Sequence, residues 1–102
     1  MKWFAPSDKM KFDRSSCTDA ELMKLYEGLL LPRMIEEKML ILLRQGKVSK
    51  WFSGIGQEAI AVGATQALRP DEFIFPLHRN LGVFTSRGMD LTRLFAQLQG
   101  KA

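Results

Sequence analysis

The sequence predicts a mainly helical chain carrying one short strand, and three observations lead there. Between Leu22 and Leu43 the apolar residues recur at helical rather than alternating spacing, behind a Thr18-Asp19-Ala20-Glu21 capping box. From Asp90 onward a capping residue is followed by Leu91, Leu94, Phe95 and Leu98, which share one helical face. Between these, Phe73-Ile74-Phe75 closed by Pro76 reads as a short buried strand near 73–75.

Taken in order, residues 1–17 show no period and read as an extended arm. The first helix is expected near 18–45, with Leu22, Leu25, Tyr26, Leu29, Met34, Met39 and Leu43 as its apolar positions. Gly46 ends it, since a left-handed cap suits glycine. Pro32 interrupts the run, so a kink near Leu29 to Leu31, or two abutting helices, is expected. Lys47 to Ile55 forms a loop or short extended piece, and Gly56-Gln57-Glu58 opens a helix near 56–68. Arg69-Pro70-Asp71-Glu72 makes a turn. Asn80 to Ser86 gives a helical turn or two closed by Gly88, and the last helix lies near 90–99.

At 102 residues the chain holds at most one small domain with a modest core. With 25% charged and 46% hydrophobic residues the composition is that of a globular protein. A single cysteine, Cys17, excludes an internal disulfide, and the lone His78 excludes a His-rich zinc site; a reducing, cytoplasmic setting is expected. The longest apolar run, Met39 to Leu43, is far too short for a membrane span, and the N-terminus lacks a signal-peptide pattern. The net charge of +4 is scattered and interrupted by Glu36, Glu37 and Asp90, which argues against a nucleic-acid stripe.

Two stretches invite a functional reading. WFSGIGQEAIAVGA, Trp51 to Ala64, follows two large aromatics with a Gly-x-Gly turn and then a series of small residues. Small residues permit close helix packing, or let a helix start meet a subunit or cofactor; both readings stand. A third glycine is missing, so a dinucleotide fingerprint is rejected. In FPLHRNLG, Phe75 to Gly82, a short strand delivers His78 and Arg79 into a turn. Arginine offers a fixed fork for phosphate oxygens, while a lone histidine or arginine can equally be structural.

The stretch from LPRMIEEKML through GIGQEAIAVG to HRNLGVFTSR and LFAQLQGK resembles the N-terminal part of the alpha subunit of thiamin-diphosphate-dependent 2-oxo acid dehydrogenases. The similarity covers roughly Thr18 to Lys101 and leans to the branched-chain, or 2-oxoisovalerate, type, including forms with alpha and beta regions fused. The resemblance implies an α/β class: residues 18–102 as the mainly helical N-terminal part of a cofactor-binding domain with a parallel sheet flanked by helices. It implies oxidative decarboxylation of a 2-oxo acid, branched-chain or pyruvate, with acyl transfer to a lipoyl group. Arg79 matches a diphosphate-contacting arginine; His78 stands where the family commonly has tyrosine, and either ring can donate a hydrogen bond. Trp51, Phe52 and Ser53 align with a segment lining the substrate approach. The magnesium motif Gly-Asp-Gly has no match, so the metal ligands are expected outside this chain. The catalytic glutamate belongs to the beta region, so Glu36, Glu37 and Glu58 are not candidates and no catalytic residue is assigned. The implied partners are a beta subunit or fused beta region and a lipoyl acyltransferase, in a hetero-oligomer or a homodimer of fused chains. A truncated chain, inactive alone, is expected. The alternative is a small helical interaction module with no cofactor.

Overall fold

Thr18 starts the first helix as its capping residue. Its Oγ1 accepts from the Glu21 N–H at 3.2 Å, and the Glu21 carboxylate accepts from the Thr18 N–H at 3.2 Å. Two orphan donors are thereby satisfied reciprocally. The resulting helix α1, Asp19–Arg44, ends where Gly46 adopts φ 72° and its N–H donates to the Leu43 carbonyl at 3.1 Å. This is a computed structural model and it describes residues 13–101; most of the expected N-terminal arm lies outside them.

Pro32 sits inside one uninterrupted helix, not between two abutting ones. Its ring is fully buried. The buried stripe of α1 runs Pro32, Ile35, Glu36, Met39, Leu42, at three- and four-residue steps. Tyr26 and Met34, expected on the apolar face, are exposed instead. Met34 is two residues from Pro32, roughly 200° around the axis, and cannot share its face.

Helices α2 (Glu58–Ala67), α3 (Leu81–Ser86) and α4 (Leu91–Leu98) follow. Helices α1, α2 and α3 pack against one another, and α4 joins through Leu94, which meets Ile35, Met39, Leu42, Val48 and Leu81 in the main core. Close approach depends on two glycines. A Cβ on Gly28 would collide with the Gln66 side chain and lie 3.0 Å from Val62 Cγ1; one on Gly82 would lie 2.8 Å from Val62 Cγ2 and 3.1 Å from the Ala61 Cβ. The small-residue helix is therefore two-sided. Ala61 is packed, while Ala59, Gly63, Ala64 and Ala67 face outward with Ile60.

The expected buried strand near 73–75 is corrected. No strand occurs among the described residues; Phe73 to Pro76 is irregular chain, with Phe73 88% and Phe75 91% exposed. A strand needs a neighbour to pair its backbone groups, and none is present there. The Cα radius of gyration is 16.2 Å, against about 13 Å for a compact domain of similar length.

Candidate functional site

The loop between α1 and α2 is fixed from below by one carboxylate. Glu36, 1% exposed on the core face of α1, accepts from three donors of the loop. Trp51 Nε1–H donates to Oε2 at 2.6 Å, the Ser53 hydroxyl donates to the same oxygen at 3.2 Å, and the Gly54 N–H donates to Oε1 at 2.8 Å. Hydrogen bonds to a charged acceptor are the strong class, and burying such a group requires them. Trp51 is thus turned inward and packs on the core, whereas Phe52 stays outside.

A second carboxylate holds the far end of the loop. Glu58, at the first position of α2, accepts from Arg33 Nε at 2.5 Å and from the Gly56 N–H at 2.8 Å. The Arg33 hydrogen bond, more than burial opposes it, keeps the Glu58 carboxyl below the usual carboxylate range. Gly56 itself takes φ 92°, a conformation glycine adopts without penalty.

The other half of the site is a clamped turn. The Leu77 N–H donates to Asn80 Oδ1 at 2.9 Å, and the Asn80 N–H donates back to the Leu77 carbonyl at 3.1 Å. His78 and Arg79 occupy the tip of this turn, both exposed. Among the described residues Arg79 makes no ion pair.

Loop and turn meet. Phe52 and His78 stack edge to face with ring centroids 5.0 Å apart, and the Arg79 guanidinium carbon lies 5.7 Å from the Phe52 centroid. Both distances fall in the range of favourable aromatic and cation–π contacts. Beneath them Gly54 abuts the Arg79 carbonyl so closely that a Cβ could not be accommodated. Trp51 and His78 also border a mostly apolar cavity of about 180 Å³, completed by Leu81, Phe84, Leu94 and Leu98 among others. The residues expected at a substrate approach and those expected at a diphosphate therefore form one cluster.

A family model for the dehydrogenase E1 component matches residues 26–102. The chain belongs to this family. The dehydrogenase E1 segment is 42% identical over 73 residues to the 2-oxoisovalerate dehydrogenase subunit alpha of Bacillus subtilis, covering 71% of this chain and 22% of that protein. It is 33% identical over 84 residues to the 3-methyl-2-oxobutanoate dehydrogenase subunit alpha of Mycobacterium tuberculosis, covering 82% of this chain and 23% of that one. It is also 30% identical over 83 residues to the pyruvate dehydrogenase E1 component subunit alpha of Staphylococcus epidermidis, covering 81% and 22% respectively. The chain thus spans about a fifth of the length of these relatives. No solved structure matches it.

Glu36 and Glu58, which the sequence sets aside as catalytic candidates, organise this dehydrogenase E1 segment by anchoring its loop. A signal existed for the first. Glu36 lies one turn from both Pro32 and Met39, so a helical wheel puts a carboxylate in the middle of the apolar stripe. No helix among the described residues is long and apolar enough to cross a membrane.

Proposed function

We propose that this chain supplies part of the cofactor and substrate site of a thiamin-diphosphate-dependent 2-oxo acid dehydrogenase, first component, acting on a branched-chain or related 2-oxo acid. The observation that carries this is the Leu77–Asn80 turn, which holds an exposed Arg79, without an ion pair among the described residues, beside His78 and the Phe52 ring. A guanidinium without a carboxylate partner fits a diphosphate, because its fork can bind two phosphate oxygens. His78 adds a second nitrogen donor next to it. When bound, thiamin diphosphate supplies the electron sink that lets a 2-oxo acid lose carbon dioxide. This chain's residues bind and orient: Arg79 and His78 hold the diphosphate, Phe52 shields the approach, and Trp51 shapes the adjoining apolar cavity. An aliphatic 2-oxo acid side chain suits that lining. Magnesium takes its ligands from outside this chain in this reading.

Residues 18–102 form the N-terminal part of a larger α/β domain, preceded by an arm over 1–17, and Phe73 to Phe75 joins a parallel sheet there. Full burial of a phenylalanine contributes about 1.5–3 kcal/mol, which exposed Phe73 and Phe75 forgo in this chain alone. A beta subunit or fused beta region contributes the catalytic carboxylate, and a lipoyl acyltransferase receives the acyl group, in the cytoplasm. The exposed apolar residues also favour a second reading, a helical interaction module without cofactor.

The test is thiamin diphosphate titration of the full-length protein, assembled with its beta partner, carrying Arg79→Ala. Loss of a charge-assisted contact of about 1.5–3 kcal/mol predicts affinity weakened roughly tenfold to hundredfold. Arg79→Lys recovers part of it, since an ammonium lacks the fork. His78→Tyr is tolerated. Unchanged affinity in Arg79→Ala would make the basic pair structural and favour the module.

A further inference from the structure

The Glu36 carboxylate lies away from the exposed cluster, behind the loop, yet it accepts from Trp51, Ser53 and Gly54, the residues that flank Phe52. We infer that Glu36 is a positioning residue: it sets the Trp51–Gly54 loop and, through Gly54 and Phe52, the placement of the Arg79 side chain toward an anionic ligand. The inference rests on the reading of Arg79 given above.

A buried carboxylate has two oxygens with which to accept. Both oxygens of Glu36 are engaged, Oε2 by an indole N–H and a hydroxyl and Oε1 by a backbone N–H. The indole and amide groups donate only, so their acceptor must carry lone pairs on both oxygens at once. A carboxylate meets that demand. A carboxamide of the same shape does not, because either orientation of glutamine aims its NH₂ at one of the donors.

Gly54 is buried, with its Cα face against the backbone carbonyl of Arg79, and the Gly54 N–H is held by Glu36. A shift of that bond moves the surface on which the His78–Arg79 turn rests. Phe52, flanked by the two anchored residues Trp51 and Ser53, presents its ring to His78 at 5.0 Å and to the Arg79 guanidinium at 5.7 Å. The turn brings its own clamp between Leu77 and Asn80, so the turn survives loss of Glu36 while its orientation against the loop does not. Small misplacements of a binding group cost far more than their size suggests.

The experiment uses the full-length protein assembled with its beta partner and three variants: Glu36→Gln, Trp51→Phe and the double variant. Two measurements separate the inference from the reading beneath it. The first is hydrogen exchange at the Trp51 indole N–H and the Gly54 amide without any ligand. Glu36→Gln should speed exchange at one or both by at least tenfold. The second is titration with thiamin diphosphate and with inorganic diphosphate, alongside the KM for 2-oxoisovalerate. Glu36→Gln should weaken both ligands on the order of tenfold and raise KM in an assembled, folded protein. Because Trp51→Phe removes one of the competing donors, the double variant should regain part of the loss. Such recovery is not expected of a residue that merely fills the core. If exchange quickens but ligand affinity and KM stay within twofold in the folded Glu36→Gln protein, Glu36 is structural only and the inference fails. If exchange is unchanged, the anchoring itself is wrong. Should Arg79→Ala leave affinity untouched while Glu36→Gln lowers it, the reading of Arg79 fails, and with it the route from Glu36 to the ligand proposed here.

Discussion

Adding one methyl group at Gly54 tests the junction between loop and turn directly. The new Cβ would overlap the Arg79 carbonyl oxygen and lie 3.3 Å from Glu36 Oε1 and 3.4 Å from the Arg79 carbonyl carbon. None of these atoms is a free side-chain end. The carbonyl belongs to a turn closed by Leu77 and Asn80, and the carboxylate oxygen is held by the Gly54 N–H itself. Gly54 is not among the residues with positive φ, so the backbone imposes no separate penalty and the cost is steric. Overpacking of this kind costs typically about 1–3 kcal/mol, and with backbone as the obstacle the upper half of that range is expected. The relief is a shift of Arg79 away from the loop. Gly54→Ala should therefore lower stability in urea melts and also weaken thiamin diphosphate binding. Gly56→Ala is the control. It is strained by φ 92° but meets nothing within 4 Å, so it should cost stability without touching affinity. If Gly54→Ala is neutral in both measurements, loop and turn are not in contact and Gly54 does not couple them.

Two further outcomes follow from the packing. Gly63 has open space around it and lies on the outward face with Ile60, Ala64 and Ala67; in the assembled protein Gly63→Ala should lower thermal stability because that face is covered, and a gain of about 1 kcal/mol, the helix preference of alanine over glycine, would show it to be solvent. Glu58 has a folded pKa below its unfolded value through its bond to Arg33, so its stabilising contribution is present above the unfolded carboxylate value of about 4.3 and is lost as pH falls through the folded one. Acid melts of Glu58→Gln should lack that component, and parallel pH profiles for the variant and the parent would refute it.

The helices were legible because local rules determine them. The capping box at Thr18, the glycine stop at Gly46 and the Asp90 cap each act over a few residues, and all three form as expected. The buried phase of α1 was less legible. Its many leucines and methionines fit several faces, and only contacts with Leu81 and Leu94, far along the chain, select the stripe through Ile35, Met39 and Leu42. The strand expectation failed for a related reason. Phe73-Ile74-Phe75 has the composition of a buried strand, but pairing and burial come from other segments, and none among the described residues offers them. Proximity of Phe52 to His78 and Arg79 could not be read at all, since no sequence rule brings residues so far apart together.

The two carboxylates explain how an irregular loop holds a defined shape. From Trp51 to Gln57 the chain makes no regular structure, so its polar groups need partners outside a helix or sheet. Trp51, Ser53 and Gly54 find Glu36; Gly56 finds Glu58, and the Gln57 N–H closes back on the Gly54 carbonyl at 2.9 Å. Glu36 is fixed in α1, and Glu58 is tied to α1 through Arg33. Both ends of the loop are therefore referred to the same rigid helix, three residues apart on it. The Phe52 side chain has no such anchor, and it faces His78 and Arg79. A loop anchored at Trp51, Ser53, Gly54 and Gly56 can hold the Phe52 ring against the basic turn at low entropic cost when a ligand arrives, because the ordering is already done by folding.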